Sequence, residues 1–311
     1  MIFLFSFQGC ALFWDDEQTV TDGDQDTPSE TEQDQDGDTT LSDGDETESD
    51  GDETENPEKA WAGTWGLLLE MTYTACGYPL VTCQDSARAH YLLVNLREEN
   101  DRMVLQGKVC QIVANNLLRN GDFERDALAY TVYPDAYTKN LLPMTWTFSS
   151  VLPIPIAEKA VSSVLWDIRG AQLTHPATDP LPTRDNLDDP AIWDQDKDGQ
   201  PGMTTIMDGV VTGSIYLAER FSMALLATES PKNHLSGYVN FTYEQSELGA
   251  SNPSYLVDVT ITSYEKKEFS YFRMLRLSAD ADCETVTKLA EIEGGFLHLT
   301  PTLNDSSITV P

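Results

Sequence analysis

Between residues 15 and 59 the chain carries 20 acidic side chains and a single base, Lys59. No aromatic residue interrupts this run, and Val20 and Leu41 are its only sizeable apolar side chains. Such a stretch cannot bury enough surface to offset the entropy of ordering it, so disorder is the expectation. Asp-Gly-Asp-Glu-Thr-Glu stands at 43–48 and again at 50–55, and like charges interleaved with glycine favour an extended, soluble tether. As a random coil, residues 15–59 would span roughly 35–40 Å, and charge repulsion stretches that further. The run accounts for −19 of the chain's net −33, leaving −14 for everything else. That balance repels nucleic acid and anionic lipid surfaces, so neither is expected as a direct partner. The folding unit is expected over residues 60–311, ample for a hydrophobic core.

Ahead of the tether, residues 1–14 open with Met-Ile-Phe-Leu-Phe-Ser-Phe-Gln-Gly-Cys. An apolar run ending in Gly9-Cys10 resembles the end of a bacterial lipoprotein signal peptide. The resemblance implies that Cys10 is lipidated and begins the mature chain. It departs from the family at Gln8, where a small or branched residue is usual, and in lacking a basic segment ahead of the apolar run. Ala11 after the cysteine, by the enteric sorting pattern, implies the outer membrane. No apolar run after residue 14 reaches the ~20 residues needed to cross a bilayer as a helix. Membrane attachment is therefore expected through the lipid alone.

With Cys10 assigned to lipid, Cys76, Cys83, Cys110 and Cys283 remain, an even number that allows two disulfides in three pairings. An exported domain meets oxidising conditions, so pairing is expected. Cys76 and Cys83 flank a natural turn at Gly77, Tyr78 and Pro79, but spacing leaves all three pairings open. No CxxC occurs and no histidine accompanies these cysteines at ligand spacing, which argues against a metal there.

Beyond residue 60 the apolar side chains recur with period two. Met144, Trp146 and Phe148 alternate with Thr145, Thr147 and Ser149; Val239, Phe241 and Tyr243 alternate with polar neighbours; so do Val257, Val259 and Ile261. Val211, Ile215, Leu217 and Phe221 likewise share a face. Each pattern predicts a half-buried strand. Further strands are expected near 63–74, 90–96, 102–113, 129–133 and 269–277. Nine or so strands with little helix between them predict an all-β or β-dominated antiparallel sandwich or barrel. Helical spacing at Ala160, Val161, Val164 and Leu165, and at Val286, Leu289 and Ala290 before Gly294-Gly295, predicts two short helices. Residues 174–202, with five prolines and seven acids, predict a long polar excursion.

That excursion ends in Asp194-Gln195-Asp196-Lys197-Asp198-Gly199-Gln200-Pro201-Gly202. Carboxylates at alternate positions, a glycine for the sharp turn and the Gln200 carbonyl next form an oxygen set suited to a hard cation. The string resembles the first half of EF-hand, dockerin and thrombospondin type 3 loops. It departs from the EF-hand at Thr205, where that family places a bidentate Glu, and no amphipathic helix flanks it. Asp208, or Asp188 and Asp189, are the candidates for a further ligand. A structural calcium ion is expected, bound weakly, with a Kd on the order of 10⁻⁴–10⁻³ M.

Catalytic motifs are missing: no HExxH, GxSxG, GxGxxG or P-loop string occurs, and His90, His175, His234 and His298 are scattered. A non-enzymatic module is expected, with a secreted hydrolase as the weaker alternative. Gly63-Thr64-Trp65 opens the first predicted strand, and it is similar to the Gly-x-Trp that begins the lipocalin barrel. In that family an arginine of the last strand packs over the tryptophan; Arg273 and Arg276 are the matching candidates, followed by a short helix. The resemblance implies a carrier of a small apolar ligand, although about 250 residues exceed a usual lipocalin. As a whole the chain looks like the cell-surface lipoproteins of myxobacteria, which join a lipidated cysteine, an Asp/Gly/Thr-rich spacer and a β-rich domain with a DxDxDGxPG-like loop. Its expected role is a lipid-anchored surface protein of the cell envelope.

Overall fold

The computed structural model describes residues 61–78, 81–116, 118–119, 122–123, 129–149, 160–209, 212–229 and 233–298. Cys10, the segments expected to be a signal and an acidic tether, and Val211 lie outside them.

Three long strands come first: β1 (Gly63–Tyr78), β2 (Val81–Glu99) and β3 (Arg102–Asn116). Asn100 and Asp101 between β2 and β3 take φ of 52° and 59°, the paired positive values of a tight two-residue hairpin. A small ribbon, β4 (Leu118–Arg119) with β5 (Asp122–Phe123), stands apart from the main sheet. There follow β6 (Ala129–Val132), helix α1 (Asp135–Lys139), β7 (Met144–Phe148), β8 (Ala160–Val161) and β9 (Leu165–Arg169). After the polar excursion come β10 (Met203–Gly209), β11 (Gly213–Glu229), β12 (His234–Ala250), β13 (Asp258–Ser263), β14 (Tyr271–Arg276) and helix α2 (Cys283–Glu291).

The main sheet is antiparallel throughout and runs β6-β10-β11-β12-β14-β1-β2-β3-β7, with β13 beside β1 and both β8 and β9 beside β11. It curls into a half-barrel. At one rim the curl is tied across: Phe148 bridges Ser162, Ser163 N–H donates to the Thr147 carbonyl at 2.7 Å, and Ser162 N–H donates to Leu225 at 2.9 Å. Hydrogen bonding at this rim therefore passes from β7 through Ser162 to β11. At the other rim β3 and β6 approach without a described ladder, leaving a groove of about 500 Å³ between Lys108–Ala114 and Thr131–Tyr133.

Alternation decides which side chains fill the curl. Trp65, Leu67, Leu69 and Met71 of β1 meet Leu92, Val94 and Leu96 of β2 and Met144, Trp146 and Phe148 of β7 in the largest apolar cluster. The intervening Leu68 and the β2 residues Ala89 and Tyr91 face the other way and are covered by Val286, Ala290 and Leu297. Asp282 caps α2 by accepting from the Thr285 N–H, and the Cys110–Cys283 disulfide fixes its first residue to β3. Cys76 pairs with Cys83 at the far end of the β1–β2 hairpin. Closing a separation of 173 residues is worth about 5 kcal/mol in the chain-entropy model, against about 2–3 kcal/mol for a separation of 7.

Two local expectations need correction. Residues 160–165 are not helical: they form β8 and the start of β9. Val161 and Val164 are β-branched and suit strands, and Ser162 is held by β11, its N–H on Leu225 and its Oγ accepting from the Leu225 N–H at 2.8 Å. A short helix, α1, appears instead after β6, where the polar string before Leu141 gave no helical period; β10 was likewise not anticipated. The helix expected near 286–290 is α2.

Candidate functional site

The acidic string lies in the loop between β9 and β10, and the chain there folds around its own carboxylates. Asp194 accepts from the N–H groups of Asp198 (3.1 Å) and Gly199 (3.0 Å), and Asp198 accepts from the Gln200 N–H (2.8 Å) and the Thr204 hydroxyl (2.6 Å). Lys197 and Gly199 take positive φ of 64° and 83°, which is how so short a turn is made. The result places one carboxylate oxygen each of Asp194, Asp196 and Asp198 within 4.8 Å of one another. Two oxygens on opposite sides of one calcium ion sit ~4.8 Å apart, twice a ~2.4 Å bond, so this spread fits a shared cation.

Asp196 is the informative member. It is 6% exposed, its Oδ2 accepts from the Thr204 N–H at 2.8 Å, and its Oδ1 is buried with no hydrogen-bond partner. Burial raises the Asp196 carboxyl above its ordinary value, the Thr204 N–H works against the rise, and Asp198 and Asp194 add to it. No described ion pair involves any of the three aspartates. A divalent cation would resolve both problems at once, the mutual repulsion and the orphaned oxygen. Two of the other candidate ligands have partners of their own. Asp208 accepts from the Thr212 hydroxyl, Asp189 from the Ala191 N–H, and Thr205 is buried in β10 opposite Ile215. Gln200 contributes the N–H to Asp198 noted above.

The loop is fastened to the sheet with little slack. A side chain at Gly170 (φ +68°) would put its Cβ 2.2 Å from the Leu217 carbonyl, and one at Gly202 (φ +89°) would come within 2.4 Å of the same oxygen. Only glycine permits both the approach and the conformation. Gly170 is bonded from both sides of the loop's start: its carbonyl accepts from Trp193 at 3.1 Å and its N–H donates to the Gln195 side chain at 2.9 Å. The Gln195 amide also donates to the Asn140 carbonyl at 2.9 Å, just past α1.

Sequence reasoning missed a second polar assembly, inside the curl. Arg88 of β2 pairs with Glu219 of β11 at 2.9 Å, and Arg169 of β9 pairs with Asp167 at 2.7 Å. The Tyr137 hydroxyl donates to Glu219 Oε2, and the Tyr243 hydroxyl donates to Glu219 Oε1 at 2.6 Å. Arg169 reaches Tyr137 at 3.2 Å and His90 Nε2 at 2.9 Å, and its guanidinium lies 4.7 Å from the Phe221 ring. Burial alone would raise Glu219, but Arg88 and Arg169 outweigh it and hold the carboxyl down at about 2. Burial together with Arg169 and Arg88 keeps His90 well below the usual histidine range, hence neutral. Arg88 Nε, His90 Nδ1 and the Tyr133 hydroxyl are buried without a protein partner. Nothing local marks these residues: they come from β2, β9, β11, β12 and α1, and only the curl brings them together.

The remaining histidines sit apart. Exposed His175 lies 3.4 Å from half-buried Asp179, His234 packs on Phe296, and His298 Nδ1 lies 2.9 Å from the Ala290 carbonyl. Of the two candidate arginines, Arg276 is opposite Trp65 in the β1–β14 register, with its guanidinium 5.9 Å from the indole and bonded to the Ala62 carbonyl at 3.0 Å. Arg273 packs on Tyr271 instead. No family model, no curated protein and no solved structure matches this chain.

Proposed function

We propose that this chain is a lipid-anchored surface protein of the cell envelope, a non-enzymatic binding or structural module carried on an acidic tether and stapled by calcium and disulfides. The observation that carries the calcium part is Asp196: a nearly buried carboxylate with an orphaned oxygen, turned in beside two more carboxylates and no base. The ion's role in this reading is structural, because its ligands lie in a loop closed onto β9, β10 and β11. The interior polar groups support a non-catalytic barrel, since Glu219 is consumed by Arg88, Tyr137 and Tyr243. The anchor rests on Gly9-Cys10 and the tether composition.

Two measurements on the full chain test this. In detergent phase separation the protein should enter the detergent phase, and Cys10→Ser should return it to the aqueous phase; aqueous partition of the unaltered protein would remove the anchor. Melting with and without calcium should show a rise that Asp196→Ala with Asp198→Ala abolishes; equal melting in both conditions would remove the ion.

A second reading, a carrier of a small apolar ligand, is favoured by Arg276 over Trp65 at the start of the first strand. The occupied interior weighs against it: Trp65, Trp146, Phe148, Phe221 and Phe272 are fully buried there, beside the charged network. Saturable binding of an apolar fluorescent probe at one site per chain, blocked by Phe272→Trp, would favour the carrier.

A further inference from the structure

We infer that the acidic loop controls the order of the barrel's interior network, with Gln195 as the link; the inference rests on the cation reading above and deepens it. Gln195 is enclosed by sequence between two of the three carboxylates and is 1% exposed. Its side chain makes two bonds, one to the Gly170 N–H and one to the Asn140 carbonyl. These residues border two pieces of chain that also meet at the Arg169–Tyr137 hydrogen bond. Gly170 directly follows Arg169, and Asn140 ends the helix that carries Tyr137.

Both pieces deliver a group to the same carboxylate. Tyr137 donates to Glu219 Oε2, and Arg169 lies 4.0 Å from that oxygen while bonding Tyr137. Gln195 therefore ties the loop to both groups that reach Glu219, beside the β9–β11 ladder that sets Arg169 opposite Glu219. Without a cation, three facing carboxylates favour a loosened loop, and loosening releases both Gln195 bonds together. With a cation at Asp194, Asp196 and Asp198, an opening that breaks the site is opposed by the binding free energy. The orphaned, buried Asp196 oxygen, one residue from Gln195, is the second observation that points to that ligand. Gln195 is a positioning residue in this scheme and touches no ion.

The test is hydrogen exchange of the full-length protein with calcium as the only added ligand, read in peptides covering 135–141 and 165–171. Calcium binding is measured in parallel by calorimetry. At calcium tenfold above Kd, exchange in both segments should slow about tenfold. Gln195→Met should retain calcium binding but lose the slowing at both segments; Gln195→Glu, which can still accept from Gly170 but cannot donate to Asn140, should lose it at 135–141 alone. Equal slowing in Gln195→Met and the unaltered protein would overturn the coupling while leaving the cation site standing. Absence of calcium binding to the unaltered protein would overturn both.

Discussion

The molecule holds two carboxylate assemblies, and they are built on opposite plans. Inside the curl, Glu219 faces Arg88, Asp167 faces Arg169, and tyrosine hydroxyls fill the remaining acceptor positions. In the loop, Asp194, Asp196 and Asp198 face one another, and their hydrogen bonds come from backbone N–H groups and one threonine. The carboxylates of the first assembly are met by the chain's own cations. The second has none, and its most buried oxygen has no partner. The contrast teaches that the same residue type is finished structure in one place and an unfinished ligand set in the other. What separates them is whether the fold brings a guanidinium.

The largest expected effect comes from breaking the completed assembly. Glu219→Ala leaves Arg88 buried without its carboxylate and should cost about 3–5 kcal/mol, as removal of one partner of a buried pair does. Chemical denaturation would measure it, and calcium should not restore the loss. A cost below 1 kcal/mol would mean the interior network is not the stabilising unit described. Glu219→Met paired with Arg88→Met should cost much less, because replacing both partners removes the unpaired charge.

The next effect, and the converse, comes from completing the unfinished assembly. With Kd on the order of 10⁻⁴–10⁻³ M, calcium at about 10 mM should add about 1.4–2.7 kcal/mol to stability. Asp198→Lys gives the loop a cation of its own; it should raise the melting temperature without calcium and abolish the calcium response. An unchanged calcium response in that variant would show that the ion binds elsewhere.

How much of this was legible in the sequence differs between the two assemblies in the same way. The loop is local: three aspartates and a glycine within six positions announce their chemistry wherever they are placed, and the structure brings Asp194, Asp196 and Asp198 together. The interior network is not local. Arg88, Glu219 and Tyr243 come from β2, β11 and β12, and only the register of a curled sheet makes them neighbours. Period two exposed β7 and β12, because one face of each meets the core. It failed at 160–165, where apolar residues happened to fall at helical spacing while their backbone was claimed by β7 and β11. Nothing in the string marks Gln195, because its two bonds depend on Gly170 and Asn140, which sequence places far away.

A smaller effect separates carboxylates by pH. Burial raises Glu70 to about 7, with Tyr271 and Arg273 pulling the other way, and burial raises Glu247 to about 7. A carboxyl raised in the folded state contributes stability that is full below its ordinary value and lost as pH rises through about 7. Glu219, held down at about 2, has the reverse sign: its contribution is full above the ordinary carboxylate range and is lost as pH falls toward 2. Stability should therefore decline between pH 5 and about 8 and also at strong acid. Glu70→Gln should make the neutral decline shallower, leaving the share of Glu247 and the acid limb, and an unaltered profile in that variant would remove Glu70 as a source.

The central claim is that the loop's three carboxylates form one cation site. Calorimetric titration of calcium into the full chain, alongside Asp196→Ala, tests it most directly, because the tether's 20 acids also attract calcium and only the variant isolates the loop. One saturable site per chain is expected, lost in the variant, above a diffuse background that both share. Identical titrations for the two proteins would contradict it.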